Sequence, residues 1–318
     1  MSAVPTIDIS KRTAAEEVAR TCEQTGFLII SGHGFPAPLL ERAQRELFAF
    51  FDRPVEAKNR WYPTGAAKQR GYHGFATRGL AYTLGAQTPP DLRETVFLGP
   101  VDDHRAYYAS LPEAATSYAP NLIPHELEGT LVALYREYER LAREMMRVFA
   151  AALRLPEEFF DGTLDRHFSI MSCHHYPALD KPPLPGQLRT GAHTDYGAMT
   201  ILAATDAEGG LEVRMPDGRW AGVRPRPGEF VVNLGDMMAR WTNDRWASTL
   251  HRVVNPPLGM AASRRLSIGM FVHPNYDQRI ECVPTCLAAG ERPRYPVITA
   301  GEHIKRKIER SHETAQEK

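Results

Sequence analysis

Apolar positions along the 318-residue chain change rhythm twice. Residues 5–9 (Pro-Thr-Ile-Asp-Ile) read as a short strand, Lys11 to Gln24 as a helix, and Gly26-Phe27-Leu28-Ile29-Ile30 as a buried strand by its β-branched content. Ser31-Gly32-His33-Gly34 breaks that run. A second helix is predicted from Pro38 to Phe51, where Leu39, Leu40, Ala43, Leu47 and Phe50 share a face. Residues 53–122 are rich in Pro, Gly and Tyr with little periodicity, so long loops with short elements are expected there. Loops of that length in a compact unit are usually functional.

The most regular helical pattern covers 124–154. Leu127, Leu131, Leu134, Tyr138, Leu141, Met145, Phe149 and Leu153 recur every three or four residues, with Glu and Arg opposite. One apolar stripe of that length predicts a helix lying along a sheet. After Leu155 the runs shorten to strand length between Gly, Pro and Asp: 167–176, 198–204, 211–214, 229–233, 249–254 and 265–272. Such alternation predicts a sandwich or barrel. Pro216-Asp217-Gly218 before Arg219-Trp220 marks a hairpin turn, and 301–315 returns to a polar helix. The expected architecture is mainly β with flanking helices in a single unit, 1–318. Its parts are a helical and loop region (1–122), a bracing helix (123–156), a β core (160–280) and a C-terminal segment with a helix (281–318).

Lys+Arg and Asp+Glu number 38 each, so there is no net charge and no basic face of the kind a nucleic-acid binder presents. The four cysteines, Cys22, Cys173, Cys282 and Cys286, are too scattered for a disulfide framework and are expected as reduced thiols. The opening residues lack the charged and apolar regions of a secretory leader. No apolar stretch approaches the ~18 residues of a spanning helix. A cytoplasmic protein without membrane or nucleic-acid partners is expected. Nothing in the chain marks an oligomeric state.

Among the 12 histidines, one alone has an acidic residue two positions later: His193-Thr194-Asp195. In an extended segment residues i and i+2 share a face, so this pair can hold one ion. A nitrogen and a carboxylate oxygen suit a borderline or hard divalent metal. His251, in the strand-like run Ser248 to Val254, can supply a third ligand. Two histidines and one carboxylate with open positions form the facial triad of non-haem Fe(II) oxygenases. A single histidine is more often packed or solvated than ligating, and His-x-Asp alone is weak. The flanking Gly191 and Gly197 add to it, as crowded backbone requires. Arg265-Leu266-Ser267 then places a guanidinium and a hydroxyl on one strand face, a pairing that clamps carboxylates. His174 and Tyr176 share a face of the 168–176 strand, and the Tyr176 hydroxyl can donate to the same carboxylate.

In this order the motifs resemble the iron(II)- and 2-oxoglutarate-dependent dioxygenases of the isopenicillin N synthase-like superfamily. Val4 to Ile9 and Gly26 to Gly34 resemble its first strands, and Phe50-Phe51 with Lys58 its second helix and exit. Gly71-Tyr72, Leu92-Arg93-Glu94, His175-Tyr176-Pro177, Gly191 to Leu202, Gly235-Asp236, His251-Arg252-Val253 and Arg265-Leu266-Ser267 complete the similarity. The resemblance implies a double-stranded β-helix, or jelly roll, braced by the long helix. It implies His193, Asp195 and His251 as Fe(II) ligands. It also implies Arg265, Ser267 and Tyr176 on the distal carboxylate of 2-oxoglutarate. Dioxygen would be the further cosubstrate, and a small organic molecule would be hydroxylated or desaturated with release of succinate and carbon dioxide. Two departures stand out. His174 replaces the Asn of many relatives, and the His251-to-Arg265 gap is longer, which predicts an extended turn at Pro256-Pro257-Leu258-Gly259.

Two other readings stay open from sequence. An oxidase of the same fold would use Arg-x-Ser to clamp its substrate's own carboxylate. A catalytically inactive roll would act as a binding module, against which the intact triad and clamp argue. For the small-molecule substrate, Tyr72, Arg78, Tyr82 and Arg93 in the loop-rich region and Trp241 after Gly235-Asp236 are the candidate contacts.

Overall fold

The computed structural model describes residues 4–80, 89–260 and 263–316. Strand β1 (Thr6–Asp8) lies parallel to β2 (Phe27–Ser31), with α1 (Ala14–Gln24) crossing between them. Helices α2 (Ala37–Phe51) and α3 (Val55–Asn59) follow, then two strands inside the loop-rich region, β3 (Gly71–His73) and β4 (Glu94–Leu98). The long helix α4 (His125–Ala152) leads into β5 (Ile170–Tyr176), β6 (Thr190–His193), β7 (Met199–Ala204), β8 (Leu211–Arg214), β9 (Trp220–Gly222) and β10 (Phe230–Leu234). A short helix α5 (Asp236–Trp241), β11 (His251–Val253) and β12 (Arg265–Val272) close the β region. The small hairpin β13 (Arg279–Ile280) and β14 (Ile298–Thr299) precedes α6 (Ala300–Gln316).

The strands form an eight-stranded sheet, β1-β2-β10-β7-β12-β5-β4-β3, and a four-stranded sheet, β6-β11-β8-β9. Because strand side chains alternate, each register pair assigns a whole column to one face. Tyr176 lies opposite Arg265, His174 opposite Ser267, and Ser172 opposite Gly269. Leu202 continues one such column to Val231 and Ile29. This inner face packs on the smaller sheet: Phe27, Ile29, Tyr176 and Val231 share a core cluster with Leu211, Val213 and Val253. Two sheets closed on each other around that cluster are the expected jelly roll.

The outer face is covered by helices. Val96, Cys173, Ile268, Met270, Ile201 and Val232 bury against the α4 stripe of Leu127, Leu131, Leu134, Tyr138, Leu141, Met145 and Phe149. Tyr138 Oη donates to the Ile268 carbonyl (2.8 Å) and Tyr135 Oη to that of Ser169 (2.9 Å), so polar tips of the stripe fasten to the strands. The helix stops where Arg154 turns left-handed (φ 58°) ahead of Pro156, and Leu155 N–H returns to the Ala150 carbonyl at 2.9 Å. No helix among the described residues is long and apolar enough to cross a membrane.

A buried polar knot sits on that outer face. Glu94 accepts from Lys58 Nζ (2.7 Å) and Tyr72 Oη (2.5 Å) and meets His175 Nδ1 at 2.8 Å. Burial pushes the Glu94 carboxyl up, but the bonds from His175, Lys58 and Tyr72 outweigh it and hold it below its ordinary value. Glu94→Gln strands a buried ammonium and is expected to cost about 3–5 kcal/mol in urea unfolding. Because the folded value is the depressed one, Glu94's contribution is complete above about pH 4.3, the ordinary glutamate value. It is lost as pH falls through the folded value, so the variant should show a flatter acid limb of stability.

Candidate functional site

His193 ends β6, and its Cα partner across the ladder is His251, the first residue of β11. This register sets the two imidazoles 4.3 Å apart between centroids. His193 Nδ1 bonds the Gly191 carbonyl (2.8 Å) and His251 Nδ1 that of Thr249 (3.0 Å). Each Nδ1 therefore carries the proton, and each Nε2 keeps its lone pair. The His251 ring also packs edge-on against Phe27 at 5.2 Å, which fixes its plane.

Asp195 lies past the end of β6, in the loop to β7. Its Oδ2 accepts from Thr200 Oγ1 (2.5 Å) and Asn233 Nδ2 (2.7 Å). Oδ1 is left facing His193 Nε2 at 3.6 Å, while His251 Nε2 is 3.8 Å from Oδ2. The three ligand atoms lie within 4.8 Å of one another, all in buried residues. Burial alone would raise the Asp195 carboxyl; the imidazoles of His251 and His193 and the bonds from Asn233 and Thr200 outweigh it and hold it ionised. Burial, then the neighbouring His251, pushes His193 down to about 3, so it is neutral at neutral pH. A neutral His193 and an ionised Asp195 are the protonation states a divalent metal needs of them.

The loop is pinned by close backbone approach. A Cβ on Gly235 would lie 2.2 Å from the Gly197 carbonyl oxygen, and one on Gly197 would lie 2.6 Å from that of Val272. Asp236 N–H can thus donate to the Asp195 carbonyl at 2.7 Å. Asn233 and Thr200 carry a faint signal in the sequence, each being a polar residue inside an apolar run. Their role depends on the pairing of β10 with β7, which sequence alone does not reveal.

On the inner face of the eight-stranded sheet, which packs on the sheet that carries His193 and His251, Arg265 is buried, 8% exposed. Its Nε has no hydrogen-bond partner, and Nη1 makes only a 3.5 Å contact to the Thr205 carbonyl. A buried guanidinium with an idle N–H fits an incoming carboxylate. Ser267 lies two residues on, and Tyr176 stands across the ladder with its hydroxyl 3.2 Å from Thr190 Oγ1. His174 turns to Thr95 Oγ1 (2.9 Å), and Arg93 Nη1 lies 3.2 and 3.1 Å from its two ring nitrogens. Burial, then the charge of Arg93, keeps His174 neutral. Arg93 is paired with buried Asp91 at 3.2 Å, and its charge is felt at His193.

The substrate-contact candidates divide by face. Arg93 reaches the inner side beside the candidate metal ligands. Arg78 is exposed, with its guanidinium 5.9 Å from the Phe97 ring, on the inner side of β4. Tyr72 does not join them: it pairs with Val96 on the outer face, and its hydroxyl is bound to Glu94. Trp241 is likewise a core residue, packed on Phe160 at 5.3 Å. Neighbourhood in sequence points to both, and strand parity and helix packing turn both away. Tyr82 lies outside the described residues.

Residues 167–274 match the model of the 2OG-Fe(II) oxygenase superfamily. Residues 4–126 match the one described as "non-haem dioxygenase in morphine synthesis N-terminal". A 2-oxoglutarate-Fe(II) type oxidoreductase from Emericella nidulans is 32% identical over 312 residues, covering 96% of this chain and 87% of its own. A homoarginine-6-hydroxylase from Oryza sativa is 31% identical over 294 residues, covering 90% and 86%. The crystal structure of a full-length Neurospora crassa protein in complex with alpha-KG superposes with a TM-score of 0.82 at 29% identity, covering 96% of each chain.

Proposed function

The chain belongs to the 2OG-Fe(II) oxygenase superfamily, and from that premise we propose how its residues divide the work of an Fe(II)- and 2-oxoglutarate-dependent dioxygenase acting on a small molecule. His193, Asp195 and His251 hold Fe(II). Arg265 receives the distal carboxylate of 2-oxoglutarate, with Ser267 and Tyr176 as further donors. When bound, the iron supplies the activation of dioxygen, with 2-oxoglutarate leaving as succinate and carbon dioxide. Around it the protein positions and excludes water: Thr200 and Asn233 aim the Asp195 carboxylate, Phe27 fixes His251, and the two packed sheets keep the site dry. The single observation that carries the reading is that the packed inner sides of the two sheets hold a three-ligand cluster on one and a buried guanidinium with an unused N–H on the other.

Arg93 is the substrate-facing cation in this reading, and the substrate class it suits is a small molecule bearing a carboxylate or similar anion. Its pairing with Asp91 keeps it in place without using all five of its donors. With a substrate found by screening anionic metabolite-sized compounds for stimulated succinate release, Arg93→Gln should raise the substrate KM by about tenfold. The KM for 2-oxoglutarate should stay within about twofold. Equal KM for the substrate in both proteins would remove Arg93 from the site. The free cysteines, two of them fully buried, suit a reducing compartment such as the cytoplasm.

The reading as a whole is tested by incubating the purified protein with Fe(II), ascorbate and 2-oxoglutarate in air and assaying succinate. Slow iron-dependent succinate formation without added substrate is expected. Its absence at full iron occupancy, before and after substrate screening, would contradict the proposal.

A further inference from the structure

Arg189, one residue before β6, is fully buried (0% exposed), and no site role has yet been given to it. Its Nη1 donates to the Glu208 carbonyl at 2.6 Å and its Nη2 to that of Ser263. These bonds tie the β7–β8 loop and the approach to β12 together. The guanidinium carbon lies 5.7 Å from the centroid of the Tyr176 ring, and Nε has no hydrogen-bond partner. Arg189 therefore stands behind Tyr176, between the two segments that flank Arg265.

The charges here do not balance. The hydrogen bonds described for Arg189 and Arg265 all go to neutral carbonyls. Among the described residues no carboxylate lies within 4 Å of either guanidinium. Each feels the burial penalty first; Arg265 then pushes Arg189 down further, to about 10, so it stays charged at neutral pH. Burial lowers Arg265, and Tyr176 and then the exposed Asp206 pull it partly back. Two buried cations with no carboxylate in contact form a subsite whose missing partner is negative charge.

We propose that Arg189 is a positioning residue of the cosubstrate subsite. It holds the two loops around Arg265 and adds a second positive charge behind Tyr176, so that the subsite selects a dicarboxylate over a 2-oxo acid with an uncharged tail. It acts through its charge and its carbonyl bonds, not by touching the carboxylate. The inference rests on Arg265 receiving the cosubstrate's distal carboxylate.

The test is isothermal titration of the Mn(II)-loaded protein, where no turnover intrudes, with 2-oxoglutarate and with 2-oxopentanoate, the same chain lacking the distal carboxylate. Arg189→Met should weaken 2-oxoglutarate by about tenfold and 2-oxopentanoate by less than about twofold, and Arg189→Lys should restore most of the loss. A merely structural staple would weaken both acids alike in Arg189→Met, and that result overturns the inference, as does no change in either. If Arg189→Met does not fold, Arg189→Gln, which keeps a donor for the carbonyls, decides: loss of 2-oxoglutarate affinity alone supports the two-cation subsite, and equal loss or no loss for both acids refutes it. Arg265→Met separates the premises. Undiminished 2-oxoglutarate binding there would refute the assignment of Arg265 itself, whereas loss there with none in Arg189→Met refutes only the role of Arg189.

Discussion

Asp195→Ala is expected to abolish iron retention and all turnover while leaving the protein folded. The carboxylate is the only anion in the three-ligand cluster, and removing it leaves two imidazoles facing a space lined by the donors of Thr200 and Asn233. Those donors repel a cation once the oxygen they served is gone. Losing a hydrogen-bond partner behind a ligand typically costs 10–100-fold in metal affinity, so losing the charged ligand should cost more than about 100-fold. Equilibrium dialysis against Fe(II) or Mn(II) under argon reads this directly. The fold should survive, because substitution removes a buried carboxylate along with the ion pairs that depend on it, and Thr200 and Asn233 can turn to water. Full-strength metal binding by the variant would remove Asp195 from the centre.

Arg265→Met is expected to leave iron binding intact and to raise the 2-oxoglutarate requirement by about 100-fold, with a smaller effect on the rate at saturation. Arg265 is buried and its Nε is idle, so the cosubstrate's carboxylate meets a donor that need break no bond to the protein. Charge-assisted bonds in so dry a place are worth about 2–5 kcal/mol when one partner is truncated, which is the source of the expected factor. Arg265→Lys should recover only part, because a point ammonium cannot reproduce the two-pronged contact. The measurement is the initial rate of succinate formation against 2-oxoglutarate concentration. A KM unchanged in the methionine variant would mean that the carboxylate lies elsewhere.

Much of this site is legible in the chain, and the reasons are local. Where a role depends on alternation within one strand, as for Arg265 with Ser267 or His174 with Tyr176, period-two geometry places the side chains before any tertiary contact is known, and the register agrees. The long helix is legible for a similar reason: its stripe is dictated by its own period, and its observed bounds differ from the expected 124–154 only at the frayed ends. What escapes depends on pairing between distant segments. β3 has only three residues, and β4 and β6 open on Glu-Thr and Thr-Gly rather than on an apolar run, so none announces itself, yet β4 joins Thr95 to His174 and β6 sets His193 opposite His251. The run 167–176 enters the ladder only at Ile170, because His167 turns instead to Glu139 on α4 at 2.9 Å. Tyr72 and Trp241 fall outside the site because closeness along the chain says nothing about which side of a sheet a residue occupies. Arg189 gives no signal at all, since a buried arginine held by two carbonyls looks in sequence like any surface arginine.

That the packed inner sides of the two sheets take Fe(II) through His193, Asp195 and His251 and 2-oxoglutarate through Arg265 is tested most directly by an anaerobic titration. Purified protein receives Fe(II) and then 2-oxoglutarate while its visible spectrum is followed. The expected result is a weak visible charge-transfer absorption that grows with 2-oxoglutarate, saturates at an equimolar complex, is lost in Asp195→Ala and needs far more cosubstrate in Arg265→Met. Iron bound at full occupancy with no such absorption at any 2-oxoglutarate concentration would contradict it.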